Sequence, residues 1–382
     1  MKIFVNGRFR SHKITGIQRY AHEITRRLDF PVIEPGRSLK GWRGHAWEQI
    51  NLPVLSFRGL LWSPCAAGPL LSSRQVVTFH DLFPLDSPEW YQPIFARGYR
   101  TLLSALSRTA THIIAVSRFT KDRVVERLKV HPDRITVIHH GIDSKAFYRA
   151  EERMLRARGE LKLPSGRYIL CVGSLEPRKN LSRLLLAWSE VVGCLPQDVW
   201  LVVAGSHDGK VHSAPRVASI PERVVFTGYV PEALLAGLYS GSLGFVYPSL
   251  GEGFGFPPLE AMACGAPVFT SNRTSLPEVC GSAAIYGDPT DTTEIARGIK
   301  LLCLDASLRD RLRHLGLEQA SRFTWERAAQ ATNDLLLQFA EEAGAADEFR
   351  MASGTATLDD GHTMASSIQG SSRCKVFSEQ RR

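Results

Sequence analysis

A chain of 382 residues, 44% hydrophobic and 22% charged, has room for two ordinary domains and the balance of a soluble globular protein. Its apolar runs are too short for a membrane-spanning helix, no secretory h-region follows Met1, and its seven irregularly spaced cysteines contain no C-x-x-C pair. A disordered body, a membrane-spanning protein, a secreted disulfide scaffold and a zinc ribbon are thereby excluded, and a reducing, cytoplasmic setting is expected. The net charge of +9 sits in one part. Residues 1–150 carry 23 Lys and Arg against 11 Asp and Glu, and residues 151–382 carry 24 against 27. Such a basic excess suits phosphate, nucleic acid or anionic lipid, although no recognisable nucleic-acid module accompanies it and no nucleic-acid partner is expected.

Along the chain, residues 2–5 read as the first buried strand, and Ile17, Tyr20, Ile24 and Leu28 repeat at helical spacing after it. Between them, Gly16 in the Thr15-Gly16-Ile17 turn allows close approach of a ligand, whereas Arg19 reads equally as a solvated helix residue. The next strand, 76–79, ends in His80-Asp81. That histidine is a candidate to bond a sugar hydroxyl, with Asp81 orienting it or assisting proton removal; a packed histidine at the sheet edge is the alternative. A helix over 98–107 and strands at 112–116 and 135–138 follow, with Ser117 placed to cap the next helix. Arg97 and Arg100, near Trp90, Tyr91 and Phe95, form a candidate anionic-membrane patch, although the aromatics read equally as core. His139-His140-Gly141 reads as the start of a connection rather than a metal site.

A charged helical stretch over 149–163 and the Pro164-Ser165-Gly166 break introduce a second series. Its strands fall at 168–172, 199–204, 224–226, 243–247 and 267–270, with helices at 181–192, 231–239 and 258–263. Two batches of strand–helix alternation predict two doubly wound α/β domains. The boundaries expected are 1–150 and 151–322, a closing helix at 323–342, and an aperiodic tail over 345–382 read as disordered.

Two strand-to-helix loops of the second series carry the strongest chemical signals. Residues 173–180 read Gly-Ser-Leu-Glu-Pro-Arg-Lys-Asn, and the adjacent cations Arg178 and Lys179 can neutralise a diphosphate. Residues 251–260 read Gly-Glu-Gly-Phe-Gly-Phe-Pro-Pro-Leu-Glu. Gly253 and Gly255 free the backbone to approach a ligand, Pro257 and Pro258 suit a helix start, and Glu252 and Glu260 can accept paired bonds from vicinal hydroxyls. No D-x-D or H-E-x-x-H sequence is present, so no metal is expected.

The Glu252-x7-Glu260 spacing, with Gly-Phe-Gly within it and Ala-Met-Ala-Cys-Gly-Ala-Pro-Val after it, resembles the signature of family-4 retaining glycosyltransferases. The resemblance covers about residues 1–340. It implies the GT-B fold, two Rossmann-like domains across a cleft, with a nucleotide-sugar donor as co-substrate and neither cofactor nor metal. By the same resemblance Lys179 matches the phosphate-binding lysine, His80 the histidine at the reacting end, Gly16 the cleft glycine and Glu260 the ribose ligand. Glu252 with the Phe254–Gly255 backbone would hold the hexose. The family's arginine shortly after the first glycine is replaced near Ser174, which leaves Arg178 as a candidate substitute. The implied activity is retaining transfer of a hexose, with GDP-mannose the expected donor, to a saccharide or lipid-linked acceptor in polysaccharide synthesis. Peripheral attachment to the inner face of the membrane is a further expectation. A nucleotide-sugar epimerase or hydrolase, and a non-catalytic sugar-nucleotide or nucleic-acid binder, are the alternatives.

Overall fold

The computed structural model describes residues 1–359 apart from 37, 38, 40, 73, 207–210 and 212–218. Residues 1–340 form one compact unit, and the described residues 341–359 belong to a second. Six parallel strands make the first sheet: β1 (Ile3–Asn6), β2 (Val32–Ile33), β3 (Leu60–Ser63), β4 (Gln75–Phe79), β5 (His112–Ala115) and β6 (Ile135–Val137), in the order β2-β1-β3-β4-β5-β6. Helices α1 (Gly16–Thr25), α2 (Gly41–Leu55), α3 (Phe83–Asp86), α4 (Pro93–Thr109) and α5 (Arg118–Leu128) lie in the connections. Every residue of β3, β4 and β5 is buried, as parallel strands covered on both faces require. Ser117 caps α5 by accepting from the Thr120 N–H, as expected from its place before the helix.

The second sheet contains β7 (Arg167–Val172), β8 (Val199–Ala204), β9 (Val224–Gly228), β10 (Gly244–Tyr247), β11 (Val268–Ser271) and β12 (Ala284–Gly287), ordered β12-β11-β10-β7-β8-β9. Its helices are α6 (Glu151–Glu160), α7 (Leu181–Val191), α8 (Glu232–Ser240), α9 (Phe256–Ala263), α10 (Leu276–Cys280), α11 (Thr292–Leu304) and α12 (Ala306–Ser321). Strand order reverses between β1 and β3 in the first sheet and between β7 and β10 in the second. In open parallel sheets a crevice forms beyond the carboxyl ends at such a reversal, because the flanking helices leave on opposite faces. The loops after β1, β7 and β10 are the ones that hold Gly16, Lys179 and Glu252.

The chain crosses between the sheets twice, side by side. Ile142 donates its N–H to the Phe323 carbonyl at 3.1 Å, and it bridges Thr324 in parallel. A Cβ on Gly141 would lie 2.1 Å from the Trp325 nitrogen, so the crossing admits only glycine there. After the return, α13 (Trp325–Asp359) buries Trp325, Ala328, Ala329 and Leu336 in one core with Ile3, Val5 and Tyr20 of the first sheet's layer. This helix runs past residue 345, where the sequence suggested a tail; residues 360–382 lie outside the described residues.

Candidate active site

The two reversal points open into one cavity of about 1230 Å³. It is lined by all ten candidate residues: Gly16, His80, Asp81, Arg178, Lys179, Glu252, Gly253, Phe254, Gly255 and Glu260. They come from four strand-to-helix connections and the helix starts that follow them, and lie as much as 244 positions apart in sequence.

Glu252 is the most heavily bonded of them. Its carboxylate accepts from Arg178 Nη1 at 2.6 Å, Lys179 Nζ at 2.7 Å, Ser249 Oγ at 2.6 Å and Tyr247 Oη at 2.9 Å. Burial alone would raise its pKa, but the two cations outweigh that and hold it below the usual range, so it is ionised at neutral pH. Arg178 also donates to Glu176 Oε1 at 2.7 Å and to the Gly251 carbonyl at 2.8 Å, with its guanidinium over the Phe83 ring. Arg178 thus joins the two chemical loops to each other and organises the charge of the site. Glu176, Tyr247 and Ser249 were not singled out in the sequence. Glu176 shares a motif with Arg178, and the other two flank the end of β10, so strand-end position was the signal that would have found them.

The loop after β10 docks against the first sheet by close backbone approach. A Cβ on Gly253 would stand 1.8 Å from the His80 carbonyl oxygen, a contact backbone cannot absorb. The Gly253 carbonyl accepts from Ser117 Oγ at 2.6 Å and Thr120 Oγ1 at 3.3 Å. Gly253→Ala is therefore expected to displace the loop and lower turnover about 100-fold, the scale of an ångström-sized misplacement, with Ser249→Ala as a milder control. Steady-state kinetics beside a thermal melt would check it; activity within threefold of the unmodified protein would refute this packing argument.

His80 bonds through Nε2 to the Pro64 carbonyl at 2.8 Å, which fixes the proton on Nε2 and leaves Nδ1 an acceptor in the cavity wall. Asp81 does not orient it, contrary to expectation: Asp81 Oδ1 accepts from the Phe83 N–H at 3.2 Å instead. The reason is geometric, since successive side chains leaving a strand point to opposite sides. His140 also lines the cavity, stacked on His80 at 5.4 Å and on Phe256 at 4.9 Å. Its buried Nδ1 has no hydrogen-bond partner.

Burial lowers the His80 pKa to about 4 and holds that of His140 well below its ordinary value. The unfolded chain binds these protons first, so stability is complete above about pH 6.5 and falls as pH drops toward 4. His80 alone should account for a loss of about 2 kcal/mol by about pH 5. Urea titrations at pH 7 and pH 5 on the unmodified protein and His80→Gln check this; equal losses in both would contradict it.

Glu260 receives Arg19 Nη1 at 2.7 Å and Tyr239 Oη at 3.0 Å. Burial raises its pKa, against the pull of Arg19. Arg19, which read as an ordinary solvated helix residue, reaches across from α1 to meet Glu260 and, at 3.4 Å, Glu232. The proposed membrane patch is corrected by the same geometry. Tyr91 is buried, Trp90 and Phe95 are partly buried, and Tyr91, Phe95 and Tyr99 stack in succession at 5.7 and 5.4 Å. Four-residue spacing puts Phe95 and Tyr99 on one face of α4, Tyr91 just before the helix joins them in lining the cavity, and Arg97 and Arg100 are left exposed on the helix. Among the described residues no group of three or more His, Cys, Asp or Glu side chains is gathered as metal ligands would be.

Comparison with known proteins agrees with this layout. Residues 156–318 match the family described as Glycosyl transferases group 1, and residues 49–146 match Glycosyltransferase Family 4. O-antigen chain mannosyltransferase B of Escherichia coli is 34% identical over 266 residues, covering 68% of this chain and 69% of that protein. The serotype-specific mannosyltransferase WbdA of Escherichia coli is 32% identical over 286 residues, covering 71% of this chain and 35% of that longer protein. Among solved structures, HepE of Anabaena, crystallised with UDP and glucose, superposes with a TM-score of 0.69 at 17% identity, covering 88% of this chain and 99% of that one. WaaG, a glycosyltransferase involved in lipopolysaccharide biosynthesis, gives 0.64 at 15% identity, covering 88% and 99%. These two share the fold, two parallel sheets facing a cleft, which is the GT-B architecture. With one domain family matched on each side of that cleft and a relative aligned along two thirds of both chains, this protein belongs to the group 1 and family 4 glycosyltransferases and is a glycosyltransferase.

Proposed function

We propose that the enzyme transfers a mannosyl residue, with retention, from GDP-mannose to a saccharide or lipid-linked oligosaccharide during O-antigen synthesis, without a metal and on the cytoplasmic side of the membrane. The observation that carries this reading is the convergence of Lys179, Glu252, Glu260 and His80 on one cavity. The names of the aligned relatives, two of them O-antigen chain mannosyltransferases, supply the sugar and the process.

In this reading the ribose diol bonds to Glu260 and the hexose to Glu252 and the Phe254–Gly255 backbone. Lys179 faces the diphosphate, assisted by the positive end of α9, which Gly255 opens at a φ of +108°. The C1–O bond breaks with its electron pair passing to the β-phosphate, and oxocarbenium character develops at C1. The acceptor oxygen then bonds C1 on the same face while its proton passes to the departing phosphate, which leaves as GDP. His80, neutral and accepting through Nδ1, holds a sugar hydroxyl at the reacting end without adding a positive charge beside the cation that forms.

A donor panel of GDP-mannose, UDP-glucose, UDP-galactose, UDP-GlcNAc, GDP-fucose and dTDP-rhamnose, with and without a crude lipid extract, tests the proposal. Extract-dependent nucleotide release from GDP-mannose, abolished by Glu260→Ala, is the expected result. Release without any acceptor would favour an epimerase or hydrolase, and turnover of a UDP-sugar alone would replace the donor.

A further inference from the structure

One large apolar surface is left unused by the cleft, and it lies on α2. The inward side of this helix lines the cavity through His45, Glu48 and Gln49. Positions 42, 46, 50 and 54 follow one another at four-residue spacing along the other side. There Trp42 is 75% exposed, Ile50 67% and Val54 72%, and at the end of the helix Leu55 and Phe57 are exposed as well, at 54% and 73%. Exposed apolar side chains normally occur singly on soluble surfaces, so five within sixteen residues call for an occupant.

The charges around this surface narrow the choice. Residues 35–60 contain one acid, Glu48, which is 1% exposed and held inward by Arg8 at 2.6 Å. Arg43 and Arg58 are exposed at the two ends, each guanidinium standing over a neighbouring ring: Arg43 at 5.7 Å from Trp42, Arg58 at 5.6 Å from Phe57. A second copy of the chain packed through the same face would bring these arginines toward one another with no exposed carboxylate of this segment to offset them. An anionic bilayer meets both requirements, since its headgroups neutralise the arginines and its acyl boundary takes tryptophan, phenylalanine and aliphatic side chains.

We propose that the outer face of α2, with Leu55, Phe57 and Arg58 at its end, is the surface by which the protein docks on an anionic lipid bilayer. Trp42 and Phe57 enter the interface as anchors, and Arg43 and Arg58 bind lipid phosphates. Because the opposite side of the helix lines the cavity, docking sets the reaction chamber beside the headgroups, where a lipid-linked acceptor would present its sugar; this consequence, though not the docking itself, rests on the proposed function.

Flotation with phosphatidylcholine vesicles containing about one third phosphatidylglycerol tests it, at about 50 mM and about 500 mM salt, with light scattering on the same samples. The unmodified protein should float at low salt and be largely released at high salt. The double variant Trp42→Ala/Phe57→Ala should partition at least about tenfold more weakly, and Ile50→Glu/Val54→Glu should lose binding, both with unchanged melting and unchanged transfer to a short soluble acceptor. Failure of the unmodified protein to float at low salt, or equal flotation of both variants, would overturn the proposal. So would a dimer that both variants dissociate with no vesicle binding, which would give the face to a second copy. The readout does not depend on sugar transfer, so a wrong donor or acceptor would leave it standing.

Discussion

Lys179→Ala is expected to lower kcat for sugar transfer about 10²–10³-fold, equivalent to about 3–4 kcal/mol of barrier, with the fold intact. The two parts of that expectation have separate causes. In the donor-free site the ammonium lies 2.7 Å from Glu252 and also bonds Tyr247. Removing it leaves Glu252 with Arg178, Ser249 and Tyr247, so no buried carboxylate is stranded and the melting temperature should move little. The loss appears when the diphosphate departs, because a compact cation at a strand end stabilises charge that grows only in the transition state. Single-turnover rates with saturating donor, beside a thermal melt, check the split. An unchanged kcat would remove Lys179 from the phosphate site, and a matching fall in stability would make its role structural.

Arg178→Ala should act in the opposite proportion, costing about 3–5 kcal/mol of stability as well as activity. This guanidinium is buried between two carboxylates, 2.7 Å from Glu176 and 2.6 Å from Glu252, and it also holds the Gly251 carbonyl. Without it two buried acids face each other with Lys179 as the remaining cation among the described residues. Urea unfolding at neutral pH measures the loss, and Glu176→Gln in the Arg178→Ala background should recover part of it by removing one of the stranded charges. A loss below about 1 kcal/mol would mean that water replaces the arginine and that the network matters less than its burial suggests.

Much of the fold was legible because strands buried on both faces read as continuous apolar runs. Residues 168–172 and 199–204 became β7 and β8 within one residue. Most of the missed elements lacked such a signal: β2 has two residues, β12 is only partly buried, and α2 contains Pro53 together with Gly41 and Gly44, which speak against a helix in sequence. β3, the buried run Leu-Leu-Trp-Ser, carried the signal and was passed over. Gly44 is required there, since a Cβ would fall 2.7 Å from the Leu39 carbonyl.

The sequence by itself determined ten residues that gather at the cavity, because glycines, prolines, paired acids and adjacent cations at strand ends have few other uses in that combination. It also determined the two α/β halves, through a periodicity that switches from strand to helix in two batches. Only the tertiary structure decided how those residues are partnered. Arg178 spends its charge on Glu252 and Glu176, His80 is oriented by the Pro64 carbonyl rather than by Asp81, and Arg19 crosses the cleft to Glu260. The direction of each aromatic face was decided there too, turning Tyr91 and Phe95 into the cavity and Trp42 and Phe57 out to solvent. Apart from Arg178–Glu176, two positions apart, these contacts join groups 16 to 241 positions apart. Local propensity acts over a few residues, so no pattern along the chain encodes them until strand order brings the loops together.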